Sequence, residues 1–203
     1  TGLVLALAVL VGAYLVWVGG LPILVVGVLS VVCAVAYTGG PFPLAGLGLG
    51  DVFVFVFFGL VAVAGTYWVQ TRSFEAELLL AGSGVGALTT AILGVNNLRD
   101  LDTDARAGRR TLAVRFGRAG TKAQLFALVL VAAVVPPIGV LAAGWPTWTL
   151  VALVGIAPAA GALATVFRHT DPRELNPALG RVARSVTWYG GLLALGFVLP
   201  YGL

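Results

Sequence analysis

The chain has 203 residues, of which 60% are hydrophobic and 10% are charged, and its formal net charge is +4. A soluble domain usually carries about 25% charged residues, so this composition excludes an ordinary soluble globular protein. Backbone polar groups cannot face lipid unpaired, and the sequence shows no strand alternation typical of a barrel. We therefore predict an all-α fold, a polytopic transmembrane helix bundle formed as a single domain by residues 1–203.

Seven apolar segments approach the roughly 20 residues that a helix needs to cross a bilayer. The predicted spans are 2–18, 22–37, 52–69, 77–95, 122–143, 148–167 and 184–200. Turn-forming glycines and prolines, such as Gly144 and Pro146, lie between them. In the fourth span, Gly82 and Gly86 are four residues apart, which predicts a close approach to a neighbouring helix.

The basic residues orient the predicted bundle. Seven of the twelve lie within 99–122 and four within 168–184, two regions that fall on the same side if the seven spans alternate. Only Arg72 lies opposite. Positive charge collects in cytoplasmic loops, so these loops are expected to face the cytoplasm, in the cell membrane of a bacterium or an archaeon. This distribution explains the net charge without nucleic acid as a partner.

Three of the eight acidic residues, Asp100, Asp102 and Asp104, fall within five positions at the end of the fourth span. Residues four apart share one face of a helix. A helix that continues past the span would place Asn96, Asp100 and Asp104 in one stripe, with Asn97 at its edge. Asp102 would point away from this stripe.

The carboxylates of this segment are expected to have two different roles. Asp102 is three residues from Arg99 and four from Arg106, so ion pairing explains it. Asp100 and Asp104 have no basic neighbour on their own face, and we expect them to be unpaired. Two such carboxylates suit Mg²⁺, which commonly takes one or two protein carboxylates together with water and phosphate oxygens.

Basic residues follow the acidic stripe directly. Gly108 is expected to end the helix, which brings Arg109 and Arg110 close enough to contact a diphosphate. The competing interpretation is a solvated loop of mixed charge, in which none of these residues has a chemical role.

The string Asn-Asn-Leu-Arg-Asp-Leu-Asp-Thr-Asp at 96–104, followed by Gly-Arg-Arg-Thr-Leu-Ala-Val-Arg-Phe-Gly at 108–117, resembles the second aspartate-rich motif of UbiA-type membrane prenyltransferases. The stretches 37–41, 46–67 and 69–71 are also similar to that superfamily. Within it, the chain is most similar to the branch that prenylates 1,4-dihydroxy-2-naphthoate in menaquinone biosynthesis.

The resemblance implies a nine-helix bundle around a cavity, with two aspartate-rich motifs that hold Mg²⁺ on a prenyl diphosphate. Asn96, Asp100 and Asp104 match the second motif, and Asn97 lies beside them. Arg109 stands where relatives often have a basic contact to the diphosphate.

Other positions match less specifically. The resemblance makes Arg115 a weaker candidate for substrate binding, and it places Tyr37 in the loop after the second span, which borders the cavity in relatives. Phe42 stands near a position where many relatives have a basic residue, so no charged contact is expected from residue 42. His169 has the surroundings of a solvated turn, and Asp51 begins the third span near the expected cavity mouth.

The first aspartate-rich motif is not found in this sequence. In the family it precedes the third helix, so the seven predicted spans match helices three to nine. We therefore expect an N-terminally incomplete domain whose 203 residues alone are inactive.

The implied function is Mg²⁺-dependent transfer of a polyprenyl group from its diphosphate to an aromatic acceptor, with loss of diphosphate and carbon dioxide. A related enzyme for 4-hydroxybenzoate or homogentisate stays open, as do a transporter and a scaffold subunit. Transporters place ionisable residues near the middle of their spans, whereas these spans are almost free of charge. Prenyl chain length and oligomeric state are left open.

Overall fold

The computed structural model describes residues 2–38 and 44–201, and no strand occurs within these two ranges. The first two helices are α1 (Gly2–Gly19) and α2 (Leu21–Thr38), which form an apolar hairpin. Trp68, in the next span, contacts the hairpin: its Nε1 donates a hydrogen bond to the carbonyl oxygen of Gly19 at 2.8 Å. Most large side chains of the hairpin are exposed in the isolated chain, as expected for a surface that faces lipid.

The third span is a single apolar helix of mixed geometry. A short 3₁₀ turn (Leu44–Leu47) precedes α3 (Gly50–Val54), which passes through a π-helical stretch (Phe55–Val61) into α4 (Ala62–Thr71). Wide π-helical turns inside α-helices are uncommon and are often found near functional sites.

The remaining helices complete the bundle. They are α5 (Glu77–Arg99), α6 (Leu101–Arg106), α7 (Leu112–Ala142), a 3₁₀ segment (Thr147–Ile156) that continues as α8 (Ala157–Arg168), and α9 (Pro172–Val198), which ends in a 3₁₀ turn (Leu199–Tyr201). The predicted all-α fold is thus confirmed.

Within the described ranges, four helices are long and apolar enough to cross a membrane: Gly50–Thr71, Glu77–Arg99, Leu112–Ala142 and Thr147–Arg168. Shorter apolar helices cover Ala6–Gly19 and Leu21–Ala36. The chain is therefore an integral membrane protein, whereas the count of seven spans stays a prediction. The helix that contains the last predicted span begins at Pro172 rather than at residue 184.

Helix α5 lies at the centre of the bundle and is packed through glycines. A Cβ built on Gly59 would lie 2.5 Å from the Cα of Gly86, and one built on Gly82 would lie 3.0 Å from the carbonyl oxygen of Gly59. Small residues let two helix backbones approach this closely. The close packing predicted for Gly82 and Gly86 is confirmed.

Helix α7 changes direction at Gly117, whose φ of 68° and ψ of −176° are not helical. This region of backbone space is essentially restricted to glycine. The segment before it is a short helix whose N-terminus is capped by Thr111, because the threonine side chain accepts a hydrogen bond from the Val114 N–H at 3.3 Å. The fifth span was predicted to begin at residue 122, so the sequence pattern missed this preceding turn.

One of the two apolar clusters lies directly beneath the acidic segment. Its buried members come from α5, α7, α8 and α9, and they are Ala91, Val95, Leu98, Leu125, Ala162, Val166, Leu175, Ala178 and Val182. Leu98 and Leu175 are 1% and 0% exposed, respectively. This packing fixes the end of α5 against the first turns of α9, and so it positions the polar residues at both helix ends.

Candidate functional site

Asp100 lies at the junction of α5 and α6. Its φ of −92° and ψ of 4° interrupt the helix. The backbone hydrogen bonds nevertheless keep helical spacing, because the Asp100 N–H donates to the Asn96 carbonyl at 3.0 Å and the Asp104 N–H donates to the Asp100 carbonyl at 2.8 Å. The three residues therefore stay one turn apart along the same face, as predicted from their spacing.

Arg99 is the centre of a hydrogen-bond network at this junction. Its Nε donates to Asp100 Oδ1 and its Nη2 to Asp100 Oδ2, both at 2.8 Å. Nη2 also donates to Asn96 Oδ1 at 2.7 Å, and Nη1 donates to Asn176 Oδ1 at 3.2 Å. Asn176 lies in the first turns of α9, so the guanidinium connects the two helices that meet at the acidic segment.

The guanidinium also changes the electrostatics of Asp100. Its hydrogen bonds to the carboxylate lower the pKa of Asp100 below its ordinary value, which keeps the group ionised at neutral pH. Neither side chain is deeply buried, since Arg99 and Asp100 are 25% and 36% exposed.

Asp104 is the more enclosed of the two stripe carboxylates, because the residue is only 6% exposed. Its Oδ1 accepts a hydrogen bond from Arg109 Nη1 at 3.0 Å. Gly108 has a φ of 71° and ends the helical turn, as predicted, and the Arg109 N–H then donates to the Asp104 carbonyl oxygen at 3.0 Å. The chain reversal at Gly108 is thus what brings Arg109 back over Asp104.

Two expectations about ion pairing in this segment are wrong. Asp100 and Asp104 are paired, with Arg99 and Arg109, because the break after α5 and the reversal at Gly108 bring these arginines to the stripe. Asp102 pairs with Arg118 at 2.6 Å rather than with a neighbour on its own helix.

An apolar groove of about 530 Å³ leads away from the stripe into the membrane-embedded part of the bundle. Its lining comes from the third span, α5 and α9, and includes Phe58, Ile92, Leu179 and, at the end of α5, Asn96. The groove therefore connects an apolar surface to one of the polar residues of the stripe.

Arg115 lies away from the stripe and holds a loop. Its Nη2 donates to the Leu47 carbonyl oxygen at 2.7 Å, and its Nε donates to the Arg110 carbonyl oxygen at 3.0 Å. The Arg110 N–H donates to the Gly46 carbonyl oxygen at 2.8 Å. A Cβ on Gly48 would lie 2.7 Å from the Arg110 carbonyl oxygen, so glycine permits this contact between the two loops.

Two predicted site residues are less well defined. Asn97 is half-buried beside the stripe. Tyr37 lies in the last turn of α2, but its side chain is outside the described part of the chain, as is Phe42 entirely. His169 Nδ1 contacts Glu174 Oε2 at 2.7 Å, and both side chains are about half exposed.

A second polar contact lies inside the bundle and was not predicted. Asp51 is 5% exposed, and its Oδ1 accepts a hydrogen bond from Gln124 Nε2 on α7 at 2.7 Å. Its Oδ2 is buried without a hydrogen-bond partner among the described residues. The sequence predicted only that Asp51 begins the third span near the cavity mouth, and an acid is favourable at a helix N-terminus in any case. Gln124, a polar residue near the start of the largely apolar fifth span, was the signal that could have identified its partner.

The donor set of the stripe fits a hard divalent cation bound together with a phosphate ligand. Within residues 2–38 and 44–201, no cluster of three or more acidic, histidine or cysteine side chains could hold a metal by itself. Mg²⁺ does not need one, because it commonly takes one or two carboxylates and completes its shell with water and phosphate oxygens. Each carboxylate has about four lone-pair sites, so the two hydrogen bonds from Arg99 to Asp100 and the one from Arg109 to Asp104 leave lone pairs available on both carboxylates.

Comparisons with known proteins identify relatives of this chain. Three relatives named 1,4-dihydroxy-2-naphthoate octaprenyltransferase align over most of the chain. The protein of Haemophilus influenzae is 37% identical over 175 residues, 85% of this chain and 56% of the relative. That of Mycobacterium tuberculosis is 39% identical over 86% of this chain and 59% of the relative, and that of Escherichia coli is 32% identical over 87% and 57%.

The chain thus spans less than two thirds of the length of these relatives. No solved structure gives a significant match. The profile of the UbiA prenyltransferase family matches residues 1–199, almost the whole chain. The chain belongs to the UbiA prenyltransferase family.

Proposed function

We propose that the complete protein transfers a polyprenyl group from prenyl diphosphate to 1,4-dihydroxy-2-naphthoate in the synthesis of menaquinone. The names of the relatives support this acceptor. The observation that carries the proposal is the stripe of Asn96, Asp100 and buried Asp104, of which Asn96 lines the end of an apolar groove. Prenyl diphosphate has a polar diphosphate, which suits the stripe, and a long hydrocarbon tail, which suits the groove.

In this reaction the bond between the prenyl carbon and the diphosphate oxygen breaks, and the electron pair leaves with the diphosphate. The electron-rich ring forms the new carbon–carbon bond at the carbon that carries the carboxylate, which then leaves as carbon dioxide. Mg²⁺, when bound, would supply Lewis-acid stabilisation of the departing diphosphate.

The residues of this chain have separable roles in the proposal. Asp100 and Asp104 hold the cation, Asn96 and Asn97 orient it or its water ligands, and Arg109 contacts the diphosphate. Arg109 suits this role because its side chain is 63% exposed at the rim of the site while one Nη contacts Asp104. The apolar groove receives the prenyl tail and excludes water, which would otherwise capture the allylic cation.

Arg115 and Tyr37 are supporting residues in this proposal. Arg115 binds two backbone carbonyl oxygens, so it would act on substrate by holding the 46–48 loop rather than by direct contact. Tyr37 is retained as a candidate contact on the basis of family resemblance alone. The acidic segment is proposed to face the cytoplasm, because the basic residues of 99–122 and 168–184 follow the positive-inside pattern.

The test is Asp100→Ala in the complete coding sequence, expressed in membranes. Prenyl transfer from a polyprenyl diphosphate to 1,4-dihydroxy-2-naphthoate is expected to fall at least about a hundredfold, because stabilisation of the leaving charge is lost. Asp102→Ala is the matched control. Its carboxylate is 64% exposed and pairs with Arg118, so near-normal turnover is expected.

Normal turnover by Asp100→Ala would remove the metal role. Offering 4-hydroxybenzoate and homogentisate in the same assay separates the naphthoate acceptor from the other aromatic acceptors. A substrate-uptake assay in liposomes with the same protein separates an enzyme from a transporter.

A further inference from the structure

Arg99 already occupies the carboxylate that is proposed to bind the cation. Its guanidinium contacts both oxygens of Asp100 at 2.8 Å and the amide oxygen of Asn96 at 2.7 Å. Two of the proposed cation-binding residues are therefore bound to a positive charge of the protein itself.

A neighbouring guanidinium weakens the binding of any other cation to a carboxylate. For the proton, an arginine in contact lowers the affinity of an aspartate about ten- to a thousandfold. The same repulsion acts on a divalent metal ion, and it is only partly screened here because Arg99 is 25% exposed. Free Mg²⁺ should therefore bind this site poorly.

A diphosphate offers Arg99 an alternative partner. The guanidinium fork binds phosphate oxygens as well as it binds carboxylate oxygens. Arg99 lies at the rim where α5 meets α9, and its Nη1 contacts exposed Asn176 rather than a buried group. The side chain is therefore held at an edge from which it can turn toward an incoming anion.

We propose, on the premise of the function above, that Arg99 exchanges partners during substrate binding. It pairs with Asp100 in the protein without substrate, and it moves to the diphosphate when prenyl diphosphate arrives. This exchange frees the Asp100 carboxylate for the cation. Metal ion and diphosphate consequently bind cooperatively, and the site does not fill with metal in the absence of substrate.

The experiment compares two affinities in the Arg99→Gln variant of the complete protein, purified in nanodiscs. The first is the affinity for Mn²⁺ alone, measured from the free-ion signal in electron paramagnetic resonance. The second is the affinity for farnesyl thiodiphosphate, an unreactive analogue, at saturating Mg²⁺. We expect Mn²⁺ alone to bind about tenfold more tightly and the analogue to bind about tenfold more weakly than in the wild type.

The two affinities are expected to change in opposite directions, which separates partner exchange from a purely structural role of Arg99. A damaged site would lose affinity for both probes. Arg99→Lys keeps the charge and should restore much of the analogue affinity, and it provides a second reading if Arg99→Gln folds poorly. Arg106→Gln makes the same charge change in the same segment, but Arg106 Nε contacts only the Asp102 carbonyl oxygen, so both affinities should stay unchanged.

Unchanged or weaker Mn²⁺ binding by Arg99→Gln, or unchanged analogue binding, overturns the exchange. If the wild type binds the analogue at saturating Mg²⁺, such a result leaves the proposed function intact. If the wild type does not bind the analogue even at saturating Mg²⁺, the proposed function itself fails, and the exchange fails with it.

Discussion

The hairpin of α1 and α2 and the bundle around α5 are both strongly apolar, yet they differ in what covers them. In the hairpin, Leu3 and Trp17 are 75% and 81% exposed in the isolated chain, so no described part of the protein covers them. In α5, ten residues are buried, and seven of these are glycine, alanine or threonine. A high hydrophobicity thus identifies a membrane-spanning helix, whereas a high content of small residues identifies the spanning helices that pack against other helices.

The largest effect should come from filling a backbone contact of the bundle. Gly86→Leu places a side chain where a Cβ alone would lie 2.8 Å from the Phe55 carbonyl oxygen, and it should lower the free energy of unfolding by about 3 kcal/mol or more. Unfolding by sodium dodecyl sulfate in mixed micelles, followed by far-ultraviolet circular dichroism, measures the change.

Gly12→Leu is the matched substitution in the hairpin. A Cβ at Gly12 meets nothing within 4 Å, so stability should change by less than about 0.5 kcal/mol. Equal losses at the two positions would contradict the distinction between packed and lipid-facing helices.

A smaller loss is expected from breaking the polar contact inside the bundle. Gln124→Leu leaves the Asp51 carboxylate buried without its hydrogen-bond donor, which should cost about 2–3 kcal/mol in the same unfolding assay. In the hairpin, Ser30 donates only to the Val26 carbonyl oxygen of its own helix at 2.7 Å, so Ser30→Ala should change stability by less than about 0.5 kcal/mol.

The double variant Asp51→Leu with Gln124→Leu sharpens this result. Removal of both polar groups should recover part of the loss, because no buried charge is left unpaired. If the double variant is as unstable as the sum of the single variants, Asp51 contributes through another partner.

The smallest effect is expected at Tyr189, which is 0% exposed and has a buried hydroxyl without a partner among the described residues. Tyr189→Phe removes an unsatisfied polar group, so stability should stay constant or rise by up to about 1 kcal/mol. Tyr14→Phe in the hairpin changes a tyrosine that is 59% exposed and should have no measurable effect. A clear loss at Tyr189 would reveal a hydrogen bond to a bound water or ligand.

Much of the fold follows from the sequence because its signals are local. The ends of the four long apolar helices agree with the predicted spans to within a few residues, apart from the early start of α7 at Leu112. The start of α7 was missed because Gly117 and its charged neighbours interrupt the apolar pattern. The start of α9 at Pro172 was missed for the same reason, because its first turns contain charged residues.

The shared helix face of the candidate site residues was predictable from the sequence, whereas their hydrogen-bond partners were not. Helical spacing was enough to place Asn96, Asp100 and Asp104 on one face. Spacing along one helix could not show that Arg99 turns back on Asp100, because this contact depends on the interruption at residue 100. Nor could it show Asn176, which comes from a helix that starts more than seventy residues later in the chain.

The backbone reversal at Gly117 sorts neighbouring arginines to different destinations. Before it, the Arg110 backbone N–H and the Arg115 guanidinium contact the 46–48 loop, whereas the Arg118 guanidinium, just after it, contacts Asp102 and the Thr170 carbonyl oxygen. A Cβ at residue 117 would meet nothing within 4 Å, so a larger side chain has room there. The backbone dihedral angles nevertheless restrict the position to glycine. Gly117→Ala would therefore move the guanidinium groups of Arg115 and Arg118 from their partners, although the added methyl group has room.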